Sequence, residues 1–272
     1  MSLVNAELFK VRTTSLWWIM GIILLPLYAA SVLANWAQAS AGPTPSDVPD
    51  QQAELIEAAN LPINVATNLY TSGQYFGVLV VVLLSAIIVT SEFFHLTATT
   101  TFLTTPRRES VILAKFGAAA VIGLAVWLLT TILNLIVVPL IMNNLNLGSQ
   151  LGEPAVWRAI GLNALAFVLW AILGVGAGVL IRSQIAATLI LAITYVVGTS
   201  AIGLIFFLLS EYVAEWINNF QVLVPTTAST LMISGTDLPG SPPRWVGAVV
   251  LIGYAAVLGF FGTWLTKRRD IS

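Results

Sequence analysis

Three observations in the sequence predict an all-α integral membrane protein with six transmembrane helices. Only 8% of the 272 residues are charged and 58% are hydrophobic, whereas a soluble domain carries about 25% charged residues because its surface faces water. Charge-free intervals run through the chain at 13–46, 58–91, 116–152, 159–181, 183–210, 216–236 and 245–266. The basic residues then segregate to one side of a six-span arrangement. The same composition excludes other classes. With a net charge of −1 nothing overall recommends nucleic acid as a partner, and the absence of Cys removes disulfides, thiolate metal sites and Cys nucleophiles. His95 is the single histidine, so no multi-histidine metal site forms within one chain.

The elements follow in order. Residues 3–12 set Val4, Leu8 and Val11 on one helical stripe, with Glu7, Lys10 and Arg12 among the other positions. This segment is expected to lie in the membrane interface before the chain turns upward at Trp17 and Trp18. A charge at a helix centre costs roughly 2.5–3.5 kcal/mol, and a span needs about 20 apolar residues. Six intervals meet that demand, placing spans near 15–35, 73–94, 111–141, 159–181, 184–209 and 245–266. Ala37-Gln38-Ala39 offers a signal-peptidase-like site after the first run. That run of roughly 18 apolar residues exceeds the usual 7–15-residue core of a signal peptide, so an uncleaved anchor is expected. Between spans one and two, an external region of about 36–72 carries only acidic charges, and residues 50–59 suit a short acidic helix. The interval 216–236 holds Asn218, Asn219, Gln221, Thr226, Thr227, Ser229 and Thr230 around Pro225. It is too polar for lipid, and an external or re-entrant element within the region 210–244 is expected instead.

With both termini cytoplasmic, the inner ends carry Lys10, Arg12, Arg107, Arg108, Lys115, Arg182, Lys267, Arg268 and Arg269, and the outer ends only Arg158 and Arg244. That asymmetry fits the positive-inside rule. The short link at Arg182-Ser183 makes helices four and five antiparallel neighbours. Gly174-x-x-x-Gly178 marks a surface where another helix approaches closely. Asn134 and Asn163 are expected to find partners on adjacent helices, and Trp17, Trp18, Trp36, Trp157, Trp216 and Trp245 sit at span boundaries as interfacial anchors.

The stretch from Ser91 through Lys115 carries the mechanism-bearing candidates. Glu92 lies at a membrane boundary, where an ion pair with Arg107, Arg108 or Lys115 is expected to tie helix two to the following connection. That connection is Thr-rich and uncharged, yet contains Leu96, Phe102 and Leu103. Such a segment suits a short helix docking in an apolar groove of a cytoplasmic partner, with Pro106 ending it and Arg107 and Arg108 marking the return to the membrane. His95 reads as a surface position rather than a pH sensor.

Ser91-Glu92-Phe93-Phe94-His95, a Thr-rich stretch, Thr105-Pro106-Arg107-Arg108 and Lys115 together resemble the ABC-2 permeases of ATP-binding-cassette transporters, especially their short actinobacterial branch. The entry Ala6-Glu7-Leu8-Phe9-Lys10-Val11-Arg12 and the ending Lys267-Arg268-Arg269-Asp270-Ile271 resemble the same branch, with Pro225-Thr226-Thr227-Ala228 a weaker match. The resemblance implies a multi-pass subunit of the bacterial plasma membrane that pairs with a second permease copy and binds a separate cytoplasmic ATPase. That partner would bind ATP–Mg, and this chain would hold no cofactor. Glu92, His95, Leu96, Thr97, Phe102, Leu103, Pro106, Arg107 and Arg108 would then form the coupling element. One residue departs from the pattern: Leu96 stands where the family usually has Gly, a residue that adopts positive φ without cost.

No G-x-x-x-x-G-K-[ST] phosphate loop occurs, so active transport through this chain is expected to draw on a partner's hydrolysis. With almost no charge inside its spans, an amphipathic, drug-like or lipid-like export substrate fits best. A secondary transporter or channel would call for mid-span charges that are not visible, and a membrane scaffold or sensor is the remaining alternative. No H-E-x-x-H or nucleophile–base pattern recommends an intramembrane enzyme.

Overall fold

The computed structural model describes residues 3–41, 50–97, 108–237 and 239–268, with the side chains of 50–52, 108, 215, 267 and 268 excepted. Among them there are helices and connections but no strands. Six helical segments are long and apolar enough to cross a membrane: Leu16–Ser40, Pro62–Phe94, Glu109–Asn144, Pro154–Ile181, Gln184–Tyr212 and Arg244–Thr266. The protein is therefore a multi-pass membrane protein.

Helix α1 (Leu3–Thr13) precedes the first span, α2 (Leu16–Ser40), which continues five residues beyond the 15–35 expected from sequence. The polar tail Ala37–Ser40 stays helical because helix hydrogen bonding does not end where hydropathy does. The acidic segment forms α3 (Asp50–Ala59). The rest of the expected external region is not a loop: α4 (Pro62–Tyr70) buries Asn64, Val65, Ala66, Thr67, Leu69 and Tyr70 and leads into α5 (Gln74–Phe94).

The break between α4 and α5 is where the second span is least regular. Gly73 takes φ +85°, with the Tyr28 ring against it. Carbonyls released by such a break must find donors inside the membrane. Asn134, on the third span α6 (Arg108–Asn144), supplies them: its amide donates to Tyr70 O at 2.9 Å and Ser72 O at 3.0 Å, and its oxygen accepts from Tyr28 Oη at 2.9 Å. A polar residue in mid-span thus closes a gap in a neighbouring backbone. Asn163 behaves differently from expectation. It is 2% exposed, and its Oδ1 has no partner among the described residues.

Helix α7 (Pro154–Ile181) is the hub, buried along most of its length against α5, α6 and the last span, α11 (Arg244–Arg268). Small residues make this possible. A Cβ at Gly174 would collide with the Val82 carbonyl, and one at Gly178 would stand 2.8 Å from Ala86 O, both on α5. On the opposite face a Cβ at Gly176 would stand 2.8 Å from Leu258 O of α11. Phe167, Trp170 and Leu173 fill the space between these contacts with Val78, Val81 and Leu251.

The fifth span is α8 (Gln184–Ile193), a π-turn over Thr194–Gly198, and α9 (Thr199–Tyr212). At the turn, Tyr195 is the buried residue; its hydroxyl donates to Tyr75 O at 2.7 Å and its ring lies 5.1 Å from that of Trp170. The short link at Arg182 does not make α7 the main partner of α8, which packs more against α5. None of the α9 residues is buried.

After α9 the chain folds back against the bundle, packing on α11 and α7. A 3-10 helix (Glu215–Leu223) leads to α10 (Pro225–Ile233), whose nine residues are too few to cross. Trp170 Nε1, deep in α7, donates to Ser229 Oγ at 2.7 Å, and Thr226 meets Thr199 at 3.1 Å. Two of the polar side chains that told against a span, Thr226 and Ser229, are thus spent on neighbouring helices, and Thr230 bonds back to its own helix at Thr226 O and Thr227 O. Trp17, Trp18, Trp36, Trp157, Trp216 and Trp245 are all exposed, as boundary anchors should be.

Candidate functional site

Four charged side chains from three helices meet where α1 docks beside the end of α5 and the start of α6. Glu7 lies on the buried face of α1, between Val4, which sits over Gly117, and Val11, which packs on the core. Lys115 stands two turns into α6 and is 1% exposed. Its amine reaches Glu7 Oε2 at 2.8 Å and Glu92 Oε1 at 2.9 Å. Lys10, at the open side, reaches Glu7 Oε1 and Glu92 Oε1, each at 2.6 Å.

The result is a closed ring of alternating sign with no net charge. An isolated ammonium as buried as Lys115 would be prohibitively costly, and two carboxylates make its position tenable. Glu92 does pair with Lys115, one of the three partners expected for it. Lys10 and Glu7 complete the arrangement, and neither was assigned to it from sequence. The signal was present: Glu7 is three residues after Val4 and four before Val11, inside the apolar stripe rather than opposite it. The amine of Lys10 is held protonated above its ordinary pKa of 10.5. Burial pulls the value down, but hydrogen bonds and charges from Glu7 and Glu92 outweigh it.

Helix α5 ends at Phe94, two residues after Glu92, in a Schellman turn. The Leu96 amide donates to Phe93 O at 3.3 Å and the Thr97 amide to Glu92 O at 2.9 Å. Leu96 takes φ +57°, the left-handed conformation that favours glycine, and its side chain is 85% exposed. His95 is the exposed C-cap, its ring 5.0 Å edge-on to Phe94. Arg182, from the end of α7, sits over the Phe93 ring at 5.3 Å. Phe102, Leu103, Pro106 and Arg107 lie outside the described residues, as does the side chain of Arg108, which opens α6.

Beside the ring a cavity of about 420 Å³ opens between α1, α5 and the start of α8. Leu16, Leu84, Ile87 and Ile88 give it apolar walls, and Lys10, Glu92 and His95 its polar end. Among the described residues no group of three His, Asp or Glu side chains converges as a metal site would require.

The opposite end of the bundle is tied by hydrogen bonds of another kind. Asn64 donates to Ala58 O at 2.7 Å and Thr236 Oγ1 at 2.8 Å, and accepts from the Thr236 amide at 2.9 Å. Arg158 and Arg244 converge on the turn after α10. The carboxyl of Asp237 is held below its usual range, first by the Arg244 backbone amide and then by the Arg244 guanidinium and the charge of Arg158.

In comparisons with known proteins, no family model and no curated sequence matches this chain.

Proposed function

We propose that this chain is the membrane-spanning permease subunit of an ATP-binding-cassette exporter, moving an amphipathic, drug-like or lipid-like substrate with energy from a separate cytoplasmic ATPase. The observation that carries this reading is the four-charge ring. Glu92 and Lys115 stand at the two roots of the connection between spans two and three, and both are bonded to α1. A push on residues 92–108 would therefore not stay in a loop. It would reach α1 through Glu7 and Lys10, and α2 across the two-residue link at Thr14–Ser15.

In this reading the ring end faces the cytoplasm, consistent with the basic residues that gather there. The ATPase binds ATP–Mg and closes against the exposed Leu96 and the segment that follows it. Two permease copies alternate the exposure of a path between them. Spans one, five and six leave most of their surface uncovered by their own chain, which leaves room for a second copy as well as lipid.

Extraction in mild detergent tests the proposal. A cytoplasmic ATPase is expected to co-purify, and Arg107→Glu or Phe102→Ala is expected to reduce export of a fluorescent amphiphile from cells. No co-purifying ATPase, together with export by both variants at the wild-type rate, would contradict it.

A further inference from the structure

At the end of the bundle away from the ring, two guanidinium groups lie side by side on one acceptor. Arg158 Nη2 donates to Gly235 O at 2.6 Å and Arg244 Nη1 to the same oxygen at 2.8 Å. Weaker contacts of 3.4 and 3.5 Å reach Ser234 O. One carboxylate is present: Asp237 Oδ1 accepts from Arg244 Nε at 2.8 Å and from the Arg244 amide at 3.3 Å. Two cations against one anion leave this corner with a net positive charge. A guanidinium carries five N–H donors, and the contacts to Gly235, Ser234 and Asp237 engage Nη2 of Arg158 and Nε and Nη1 of Arg244.

These groups form one wall of a cavity of about 340 Å³ between α7 and α11. The other wall is apolar, made by Leu162, Met232, Trp245 and Ala248. Trp245 is 65% exposed, and Trp157 beside Arg158 is also exposed, so the mouth lies at the level where indoles mark a membrane boundary. The volume is too small for a whole lipid and suits a headgroup with its first methylenes. A cationic wall facing an apolar one at that depth selects for an anion carried on a hydrocarbon.

We propose that the Arg158–Arg244 cleft binds the phosphate of an anionic lipid headgroup, with the lipid's first methylenes against Leu162, Met232 and Ala248. Arginine suits this role because its planar fork offers paired donors to phosphate oxygens. The proposal rests on the chain crossing a bilayer and not on the ATPase reading, so either can fail alone.

The test uses the full chain, purified and delipidated in a neutral detergent, with melting temperature and native mass spectrometry as readouts. Phosphatidylglycerol is expected to bind and raise the melting temperature, and diacylglycerol, which lacks the phosphate, is not. Arg158→Gln is expected to weaken phosphatidylglycerol binding about tenfold, the scale of one charge-assisted hydrogen bond. Arg158→Lys should recover part of the loss. Arg244→Gln should weaken binding similarly; because it also breaks the Asp237 pair, Arg158→Gln decides if that variant does not fold. Equal binding of phosphatidylglycerol by wild type and Arg158→Gln overturns the site, as does equal binding of diacylglycerol. Inorganic phosphate acting at the same concentration as phosphatidylglycerol overturns the lipid assignment in favour of a free anion.

Discussion

Leu96 shows how a single residue records a compromise. Its left-handed backbone completes the turn that ends α5, a conformation costing an L-residue roughly 1–2 kcal/mol. Glycine would remove that cost but lose more entropy on folding, so Leu96→Gly is expected to stabilise the chain by about 0.5–1 kcal/mol. The melting temperature should rise by roughly 1–4 °C. If export falls in the same variant, the exposed leucine serves a partner rather than the fold. The ring sets the opposite case, because Lys115 has no solvent to retreat to. Lys115→Met leaves two carboxylates sharing the half-exposed Lys10 and is expected to cost about 3–5 kcal/mol. Lys115→Met combined with Glu92→Leu keeps the Glu7–Lys10 pair and should recover most of the loss. Lys10 adds a pH signature. Its pKa is raised in the folded state, so its stabilisation is fully present below about 10.5 and fades as pH climbs through the higher folded value. The melting difference between wild type and Lys10→Met should accordingly hold steady from pH 6 to 9 and shrink above 10.5.

Among the elements, α7 depends on contacts too close for any side chain. Gly174→Ala drives a methyl into the α5 backbone and is expected to cost about 1–3 kcal/mol as the helices separate. Gly253→Ala, on α11 with open space around it, is expected to be neutral or to gain up to about 1 kcal/mol of helix propensity. Thermal unfolding in detergent of the two variants side by side checks the contrast. Much at this scale was legible in the sequence. Charge-free intervals marked all six apolar helices, and the polar residues around Pro225 told against a seventh crossing. What escaped were features made by partners distant in the chain. Glu7 carried its signal in the apolar stripe of α1, but its partner did not, because that lysine lies 108 positions away. The break at Thr71–Gly73 was invisible because Asn134, not local sequence, satisfies it. Helix α4 read as loop because its buried Asn64 and Thr67 look like surface residues until Thr236 and the turn after α10 close over them.

At the scale of the molecule, the bundle is bound differently at its two ends. One end holds paired ions that link α1, α5 and α6, next to a connection with an exposed leucine. The other holds arginines and amides that link the segment after α9 to α4, α7 and α11. An account in which the ionic end takes up force from a partner and the amide end stays rigid requires the ionic end to lie in the cytoplasm. Because the chain has no native cysteine, introduced thiols report position without background. The most direct measurement is labelling of Leu96→Cys and Glu57→Cys by a membrane-impermeant maleimide in intact cells and again after permeabilisation. Cys at 57 is expected to react in intact cells and Cys at 96 only once the membrane is opened; reaction at 96 in intact cells would contradict the account.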